Sequence, residues 1–187
     1  MNTVRIIGGK WRRRLLRFPD HTGLRPTPDR VRETLFNWLG QDLTGLCCLD
    51  LFAGSGVLGF ESASRGASKV IMVDNAPSVI AALKKNARIL DSESQLEIVE
   101  EDAVKFAASL CFTKRYFDVL FIDPPYKQGG LSKIMPFLPE LLQEDGFLYV
   151  ESEQPLANLK GWVTVRHKRA GQAFYYLMQK EEADASG

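Results

Sequence analysis

The chain has 187 residues, of which 45% are hydrophobic and 25% charged, and its formal net charge is +1. This is the composition of one ordinary globular domain, large enough to bury a core without disulfides or a structural metal. No apolar run approaches the roughly 20 residues that span a bilayer, and no secretory leader is visible. The cysteines lack metal-binding spacing and predict reduced thiols in a cytoplasmic protein: Cys47, Cys48 and Cys111.

The near-neutral net charge hides an uneven distribution. Residues 1–32 hold nine Lys and Arg against two acids, a net charge of +7, whereas the rest of the chain carries −6. A basic segment on a mildly acidic body is typical of a surface that meets a polyanion, although a merely solvated basic face is the alternative. The cations predicted to bind RNA are Arg5, Lys10, Arg12, Arg13, Arg14, Arg17, Arg25 and Arg30. Trp11 and Phe18 in this segment are expected to pack either against bases or against the protein body.

Two short β-like runs flank Gly8-Gly9-Lys10, which predicts an amino-terminal β-hairpin within a basic arm over residues 1–28. The arm ends in a stiff connector, because Pro26 and Pro28 each fix their own φ and disfavour helix before them. Asp29 is the predicted N-cap of a helix that ends at Gly40.

From Cys47 onward, short apolar runs alternate with amphipathic segments. The predicted strands are Cys47–Leu51, Val70–Val73, Leu96–Val99, Val119–Ile122, Phe147–Val150, Trp162–Arg169 and Phe174–Gln179. The predicted helices between them are Val57–Arg65, Pro77–Leu90, Ala103–Leu110 and Leu131–Leu142. Buried strands joined by helices predict a parallel sheet with both faces covered.

The last two strands are separated by only four residues, which predicts an antiparallel hairpin. The expected fold class is therefore α/β, Rossmann-like, with a seven-stranded and mostly parallel sheet that ends in an antiparallel hairpin. The main domain is predicted over residues 29–180, followed by an acidic, disordered tail over 181–187.

A glycine pattern marks the turn after the first of these strands. Gly54, Gly56 and Gly59 fit G-x-G-x-x-G between a strand and a helix, and Asp74 ends the next strand 20 residues after Gly54. Glycines at such a turn let the backbone approach a ligand closely, and a carboxylate at that distance binds ribose hydroxyls. Alone, this pattern would indicate a nicotinamide dinucleotide.

Asp50 argues against a dinucleotide, because it places an anion where the pyrophosphate would lie. A ligand with an ammonium or sulfonium group would gain from the same charge, and S-adenosylmethionine has both as well as an adenosine. Asp102 follows the third strand and is expected to accept a hydrogen bond from the adenine amino group, to cap the next helix, or both. The predicted cofactor-binding residues are Asp50, Phe52, Ala53, Gly54, Ser55, Gly56, Asp74, Asn75, Asp102 and Ala103.

The run Asp123-Pro124-Pro125-Tyr126 follows the fourth strand and predicts a rigid loop at the same sheet edge. An exocyclic amino group of a base is a poor nucleophile because its lone pair is delocalised. The Asp123 carboxylate and the Pro124 carbonyl can accept its N–H bonds, and Tyr126 can stack on the base. We therefore predict that these four residues are catalytic, against the alternative of a Pro-Pro turn with a capping Asp.

The carboxylate also bears on which base is methylated. Guanine offers two donors, N1–H and N2–H, which match the two oxygens of Asp123. Adenine offers a donor beside an acceptor and is better matched by an amide, although a backbone carbonyl can supply the second acceptor for either base.

Four segments together resemble the RsmD family of bacterial rRNA methyltransferases, over about Val4 to Leu177: Arg5–Gly9, Arg25–Glu33, Leu49–Gly59 and Asp123–Tyr126. The resemblance implies a class I S-adenosylmethionine-dependent methyltransferase fold and transfer to N2 of the guanine usually numbered 966 in 16S rRNA. It further implies an RNA substrate already associated with small-subunit proteins. The pair Asp74-Asn75 departs from the wider class, in which Glu commonly binds the ribose.

Three other functions are weighed against this one. A methyltransferase acting on adenine N6 of DNA would need a recognition domain longer than the basic arm, and a nicotinamide dehydrogenase would need a substrate domain. A non-catalytic RNA-binding module would be expected to lose the acids at Asp50, Asp74 and Asp123, yet all three are present. Because a single rRNA site requires no symmetry, a monomer is expected, with no metal and no membrane partner.

Overall fold

A computed structural model describes residues 1–20, 26–125, 129–156 and 159–181 of the protein. The strands are β1 Asn2–Arg5, β2 Leu15–Phe18, β3 Cys47–Asp50, β4 Lys69–Asp74, β5 Leu96–Glu100, β6 Phe117–Ile122, β7 Leu142–Ser152, β8 Trp162–Ala170 and β9 Ala173–Lys180. The helices are α1 Asp29–Leu39, α2 Val57–Ser64, α3 Pro77–Ile89, α4 Ala103–Leu110, α5 Gly130–Ile134 and α6 Leu138–Leu141. Among the described residues, no helix has the length and apolar character needed to cross a membrane.

The central sheet has seven strands in the order β5-β4-β3-β6-β7-β9-β8. The first five strands in this order are parallel, and β9 runs antiparallel to both β7 and β8. This arrangement confirms the predicted fold class. The strand order reverses at β3, with β4 on one side and β6 on the other, so a crevice opens at the carboxyl ends of these strands.

Two apolar cores cover the two faces of the sheet. Helices α1, α2 and α3 pack on one face around side chains such as Phe36, Phe60 and Tyr149. Helices α4, α5 and α6 pack on the other face, where Leu120 and Leu148 of the sheet are fully buried. Burial on both faces explains why the parallel strands are continuous apolar runs.

Strands β1 and β2 form the predicted antiparallel hairpin, which lies along α2 and α3. The amides of Ile7 and Gly8 donate to the Glu61 carboxylate at 2.9 and 2.7 Å. Trp11 and Phe18 are 8% and 3% exposed within the same core as α1 to α3. Of the two possibilities for these aromatic side chains, the structure therefore shows packing against the protein body.

Two local predictions were wrong. Helix α1 begins at Asp29 itself, with Pro28 at the N-cap position and no side-chain cap, because the Asp29 carboxylate instead pairs with Arg32. The helix predicted over Leu131–Leu142 is divided into α5, a 3₁₀ turn over Met135–Phe137 and α6. Pro136 and Pro139 lack the amide hydrogen that a continuous helix would require.

The remaining predicted boundaries coincide with the observed ones or differ by at most two residues, except for β7, which begins at Leu142 instead of Phe147. At the carboxyl end, the Glu181 amide donates to the Gly161 carbonyl at 2.9 Å. The rest of the predicted tail, residues 182–187, lies outside the described residues.

Candidate active site

A cleft of about 360 Å³ opens at the carboxyl ends of β3, β4, β5 and β6. It is lined by most of the residues that the sequence assigns to cofactor and base: Asp50, Phe52, Ala53, Gly54, Ser55, Asp74, Asn75, Asp102, Ala103, Asp123 and Pro125. Side chains separated by more than 70 positions in the chain therefore face one continuous space.

The glycine turn connects β3 to α2. Gly54 and Gly56 have φ of 49° and 74°, a left-handed conformation that favours glycine. The Gly54 amide donates to Asp74 Oδ2 at 3.0 Å, so the turn is fixed by the acid that ends the neighbouring strand. Gly56 does not line the cleft. A Cβ atom there would lie 2.3 Å from Leu83 Cδ2, so this glycine allows α2 to pack closely against α3.

Asp50 is the last residue of β3 and is 2% exposed. The pKa of its carboxyl is raised to about 7, mainly by burial and also by the charges of Asp74 and Glu151, while hydrogen bonds from the amides of Phe52 and Gly59 oppose the shift. A cation placed beside such a buried carboxyl stabilises its charged form.

Asp102 performs the capping role that the sequence left open. Its Oδ1 accepts hydrogen bonds from the amides of Val104 and Lys105 at 3.1 and 3.0 Å, at the start of α4. Because Asp102 also lines the cleft, the cap does not remove it from contact with a ligand.

The loop after β6 brings Asp123 and Pro125 to the side of the cleft next to α5. Burial raises the pKa of the Asp123 carboxyl well above its usual value, with the charges of Glu151 and Asp50 as further causes. A Cβ atom on Gly130 would lie 2.8 Å from Pro124 Cβ, so the start of α5 supports this loop closely. Tyr126 lies outside the described residues.

Three carboxyl groups follow or end three adjacent strands: Asp50 on β3, Asp123 after β6 and Glu151 on β7. Within the described parts of the chain, none of them has an ion-pair partner. The charge of Glu151 raises the pKa of both Asp50 and Asp123, and the charge of Asp50 raises that of Asp123. Mutual repulsion of this kind is relieved by a cationic ligand. The three acidic groups therefore fit a ligand that carries the ammonium and sulfonium groups of S-adenosylmethionine.

The sequence prediction missed Glu151, which is 5% exposed behind the cleft. Glu151 Oε1 accepts hydrogen bonds from Thr27 Oγ1 and from the Tyr149 hydroxyl, both at 2.9 Å. Burial raises the pKa of Glu151, and these two hydrogen bonds partly oppose the shift, so that the pKa is about 7. The signal was available, because Glu151 ends an apolar run in the same way as Asp50 and Asp74.

Thr27 and Lys133 line the cleft and are not among the predicted site residues. Thr27 belongs to the proline connector, lines the cleft and donates its hydroxyl to Glu151. Lys133 is an exposed residue of α5 and the one cation among the described residues that line the cleft. No group of metal-binding side chains is found in the described part of the chain.

The predicted RNA-binding cations do not lie around the cleft as one group. Lys10 Nζ lies 3.1 Å from Gln95 Oε1, just before β5, and Arg14 Nη2 donates to the Ile89 carbonyl at the end of α3 at 3.3 Å. These contacts place the hairpin tip at the amino-terminal edge of the sheet, opposite the cleft. Arg12 and Arg13 are exposed on the same tip, and Arg25 lies outside the described residues.

Arg5 and Arg30 lie at the start of α1, whereas the backbone of Arg17 bonds Asn86 of α3. Arg5 pairs with Asp29 at 3.3 Å, and Arg17 and Arg30 are exposed. Arg32 is fully buried and bonds Glu61 at 3.1 Å, and Glu61 also binds Arg65 at 2.9 Å. This buried ion cluster holds the start of α1 against α2, beneath the hairpin.

The sheet order and the glycine turn facing an acidic cleft define a Rossmann-like class I methyltransferase. The profile of the family described as "Conserved hypothetical protein 95" matches residues 4–179, and the chain belongs to this family, the RsmD family.

Relatives of known sequence cover nearly the whole chain. Ribosomal RNA small subunit methyltransferase D of Escherichia coli K12 is 40% identical over 190 residues, which is 97% of this chain and 94% of that protein. The protein of the same name from Haemophilus influenzae is 40% identical over 181 residues, covering 94% of this chain and 93% of the relative.

Solved structures agree with the fold. The structure of yhhF from Escherichia coli has a TM-score of 0.85 and 40% identity, and the match covers 96% of this chain and 99% of that one. A methyltransferase from Geobacter sulfurreducens, at 16% identity and a TM-score of 0.66, covers 83% of this chain and 81% of its own. This second likeness shows the fold alone.

Proposed function

We propose that this protein transfers a methyl group from S-adenosylmethionine to the exocyclic N2 of a guanine in 16S rRNA. The target is the guanine usually numbered 966, within assembled small-subunit particles, and the enzyme acts as a cytoplasmic monomer without a metal. The observation that carries the proposal is that the glycine turn, Asp50 and Asp123 all line one cleft.

The cofactor is expected to lie along the glycine turn. Asp50 would bind its ammonium group, Asp74 its ribose hydroxyls, and Asp102 with Ala103 its adenine. Since Asp50 is buried beside other acids, a cation there would be stabilised more strongly than in water. When bound, S-adenosylmethionine supplies an electrophilic methyl group on a positively charged sulfur.

The chain's own residues would prepare the nucleophile. Asp123 and the Pro124 carbonyl would accept hydrogen bonds from the amino group and hold its nitrogen towards the cofactor side of the cleft. As the new N–C bond forms and the S–C bond breaks, the nitrogen must lose one proton. Asp123 is a suitable acceptor, because burial and Glu151 raise the pKa of its carboxyl.

The choice of rRNA is supported by the relatives named Ribosomal RNA small subunit methyltransferase D, which match over nearly the full chain. It is also supported by the net charge of +7 within residues 1–32. Guanine is favoured over adenine because the two oxygens of the Asp123 carboxylate match two neighbouring donors.

The test is methyl transfer from a labelled donor into small ribosomal subunits that lack this modification. Digestion to nucleosides is expected to place the label in N2-methylguanosine, and mapping along 16S rRNA is expected to place it at guanine 966. Label in N6-methyladenosine would instead indicate an adenine methyltransferase. No label, with RNA binding retained, would indicate a non-catalytic RNA-binding module.

A further inference from the structure

The acidic lining of the cleft would repel the phosphate backbone of an RNA substrate. Its lining contains Asp50, Asp74, Glu101, Asp102 and Asp123, and like charges repel phosphates. The cations of the hairpin tip lie at the opposite edge of the sheet and do not offset this repulsion locally. A nucleotide that enters the cleft therefore needs cations at the carboxyl edge to hold its neighbouring phosphates.

Lys168 on β8 is one such cation. Tyr175 of β9 pairs with Glu151 of β7 on one side and with Lys168 on the other. Because adjacent strands lie about 4.8 Å apart, the Lys168 backbone is about 10 Å from that of Glu151, along the same edge. Lys168 is exposed, and its Nζ donates to the neutral Thr34 hydroxyl of α1 at 3.4 Å.

Arg30 is the second cation. It lies in the first turn of α1, three residues after Thr27, which lines the cleft. Arg30 is exposed, and neither Arg30 nor Lys168 has an ion-pair partner among the described residues. By contrast, Arg32 two positions later is buried in the ion cluster with Glu61.

Arg30 and Lys168 line one shallow depression between α1 and β8, together with Trp38, Tyr149 and Tyr175. Tyr149, which lines the depression, donates its hydroxyl to Glu151 behind the cleft. Its volume is about 10 Å³, close to the roughly 10–15 Å³ that a single water needs by the same measure, so a base does not fit. The surface suits phosphate groups that pass over it.

We propose that Arg30 and Lys168 form a second RNA-contact surface, which binds phosphates of the strand next to the target nucleotide. The inference rests on the proposed function, since it takes RNA as the substrate, and it assigns a role to the basic residues of the carboxyl-terminal hairpin. It also separates two kinds of contact. The hairpin tip holds RNA far from the cleft, whereas Arg30 and Lys168 hold the segment that enters it.

The test is the salt dependence of binding to unmethylated small ribosomal subunits, measured for Arg30→Gln and Lys168→Gln. In each variant, the magnitude of the negative slope of log affinity against log salt concentration should fall by about 0.7 to 0.9, the change expected for one lost phosphate contact. Lys168→Arg keeps the charge and should keep the slope. The matched control is Lys114→Gln, which neutralises an exposed cation in the turn before β6, at the opposite edge.

The outcomes separate this inference from the proposed function. An unchanged slope in both Gln variants, with normal wild-type binding and methylation, would overturn the inference alone. Weaker binding at an unchanged slope would indicate that this surface contacts a ribosomal protein, and it would also overturn the inference. A wild-type protein that neither binds nor methylates the particles would contradict the proposed function and the inference with it. The affinity for S-adenosylmethionine, measured on the same variants, should equal that of the wild-type protein.

Discussion

The Thr27 hydroxyl donates a hydrogen bond of 2.9 Å to Glu151 Oε1, although 124 positions separate the two residues. The Thr27 carbonyl in turn accepts from Arg32 Nε at 3.0 Å, and Arg32 binds Glu61. Glu61 also accepts the amide of Gly8 in the hairpin loop. A continuous chain of polar contacts therefore connects the hairpin to the cleft.

Replacing Thr27 with Val tests the cleft end of this chain. The pKa of Glu151 is about 7, because burial raises it and the hydrogen bond from Thr27 partly lowers it. Removing that hydrogen bond should therefore raise the pKa further. The free energy of unfolding should fall by about 1.5–3 kcal/mol at pH 8, where the acceptor is charged, and by about 1 kcal/mol at pH 5.5. Urea unfolding at both pH values measures this.

The matched control for that variant is Thr34→Val, since the Thr34 hydroxyl donates to the Arg30 carbonyl near the surface of α1. The control should lose little stability and show no difference between the two pH values. An equal loss for Thr27→Val at pH 5.5 and pH 8 would mean that the charge of Glu151 does not depend on this bond.

The affinity for S-adenosylmethionine should depend on the ionisation of Asp50. In the free protein burial raises the pKa of Asp50 to about 7, so the carboxyl is mostly neutral at pH 6. A cationic ligand favours the charged form, so affinity should rise about fivefold from pH 6 to pH 7, with release of a proton. Calorimetry in two buffers of different ionisation enthalpy measures both quantities.

Asp50→Asn provides the comparison for that experiment. The variant should bind the donor more weakly, and its affinity should change little between pH 6 and pH 7. A wild-type affinity that decreases over this range, or binding without proton release, would argue against a cation beside Asp50.

Asp123→Asn should reduce guanine methylation at least tenfold, because one acceptor oxygen is replaced by a donor. Single-turnover transfer into small subunits measures the loss, and equilibrium binding of the donor should be nearly unchanged. A rate close to that of wild type would refute the assignment of guanine through this carboxylate.

Glu61→Gln should destabilise the fold by about 3–5 kcal/mol, because it removes the buried carboxylate charge that binds both Arg32 and Arg65. Denaturant unfolding measures the change. The control is Glu97→Gln, which removes a half-exposed partner of Lys69 and Arg115 and should cost less than about 1 kcal/mol. Similar losses for the two variants would show that the buried cluster adds little stability.

The sequence predicted the sheet and most of the cleft because both follow local rules. The apolar runs before Asp50 and Asp74 identify buried parallel strands, and the carboxyl ends of such strands meet at one edge. The same rule applies to Glu151, which follows the apolar run Phe147–Val150 directly.

Other features depend on tertiary contacts that no local pattern contains. Arg32 is counted as part of a basic segment in the sequence, but its guanidinium is buried against Glu61, 29 positions away. The direction of the hairpin is likewise set by contacts such as Arg14 with the Ile89 carbonyl. That the hairpin tip lies at the sheet edge opposite the cleft is therefore evident only from the structure.

The most direct measurement is a crystal structure of the protein grown with S-adenosylmethionine. The account predicts the ligand beside Gly54, with its ammonium group at Asp50 and its ribose at Asp74, and with Asp123 facing its methyl group. A ligand bound at any other surface, or an Asp123 loop turned away from it, would contradict the shared cleft.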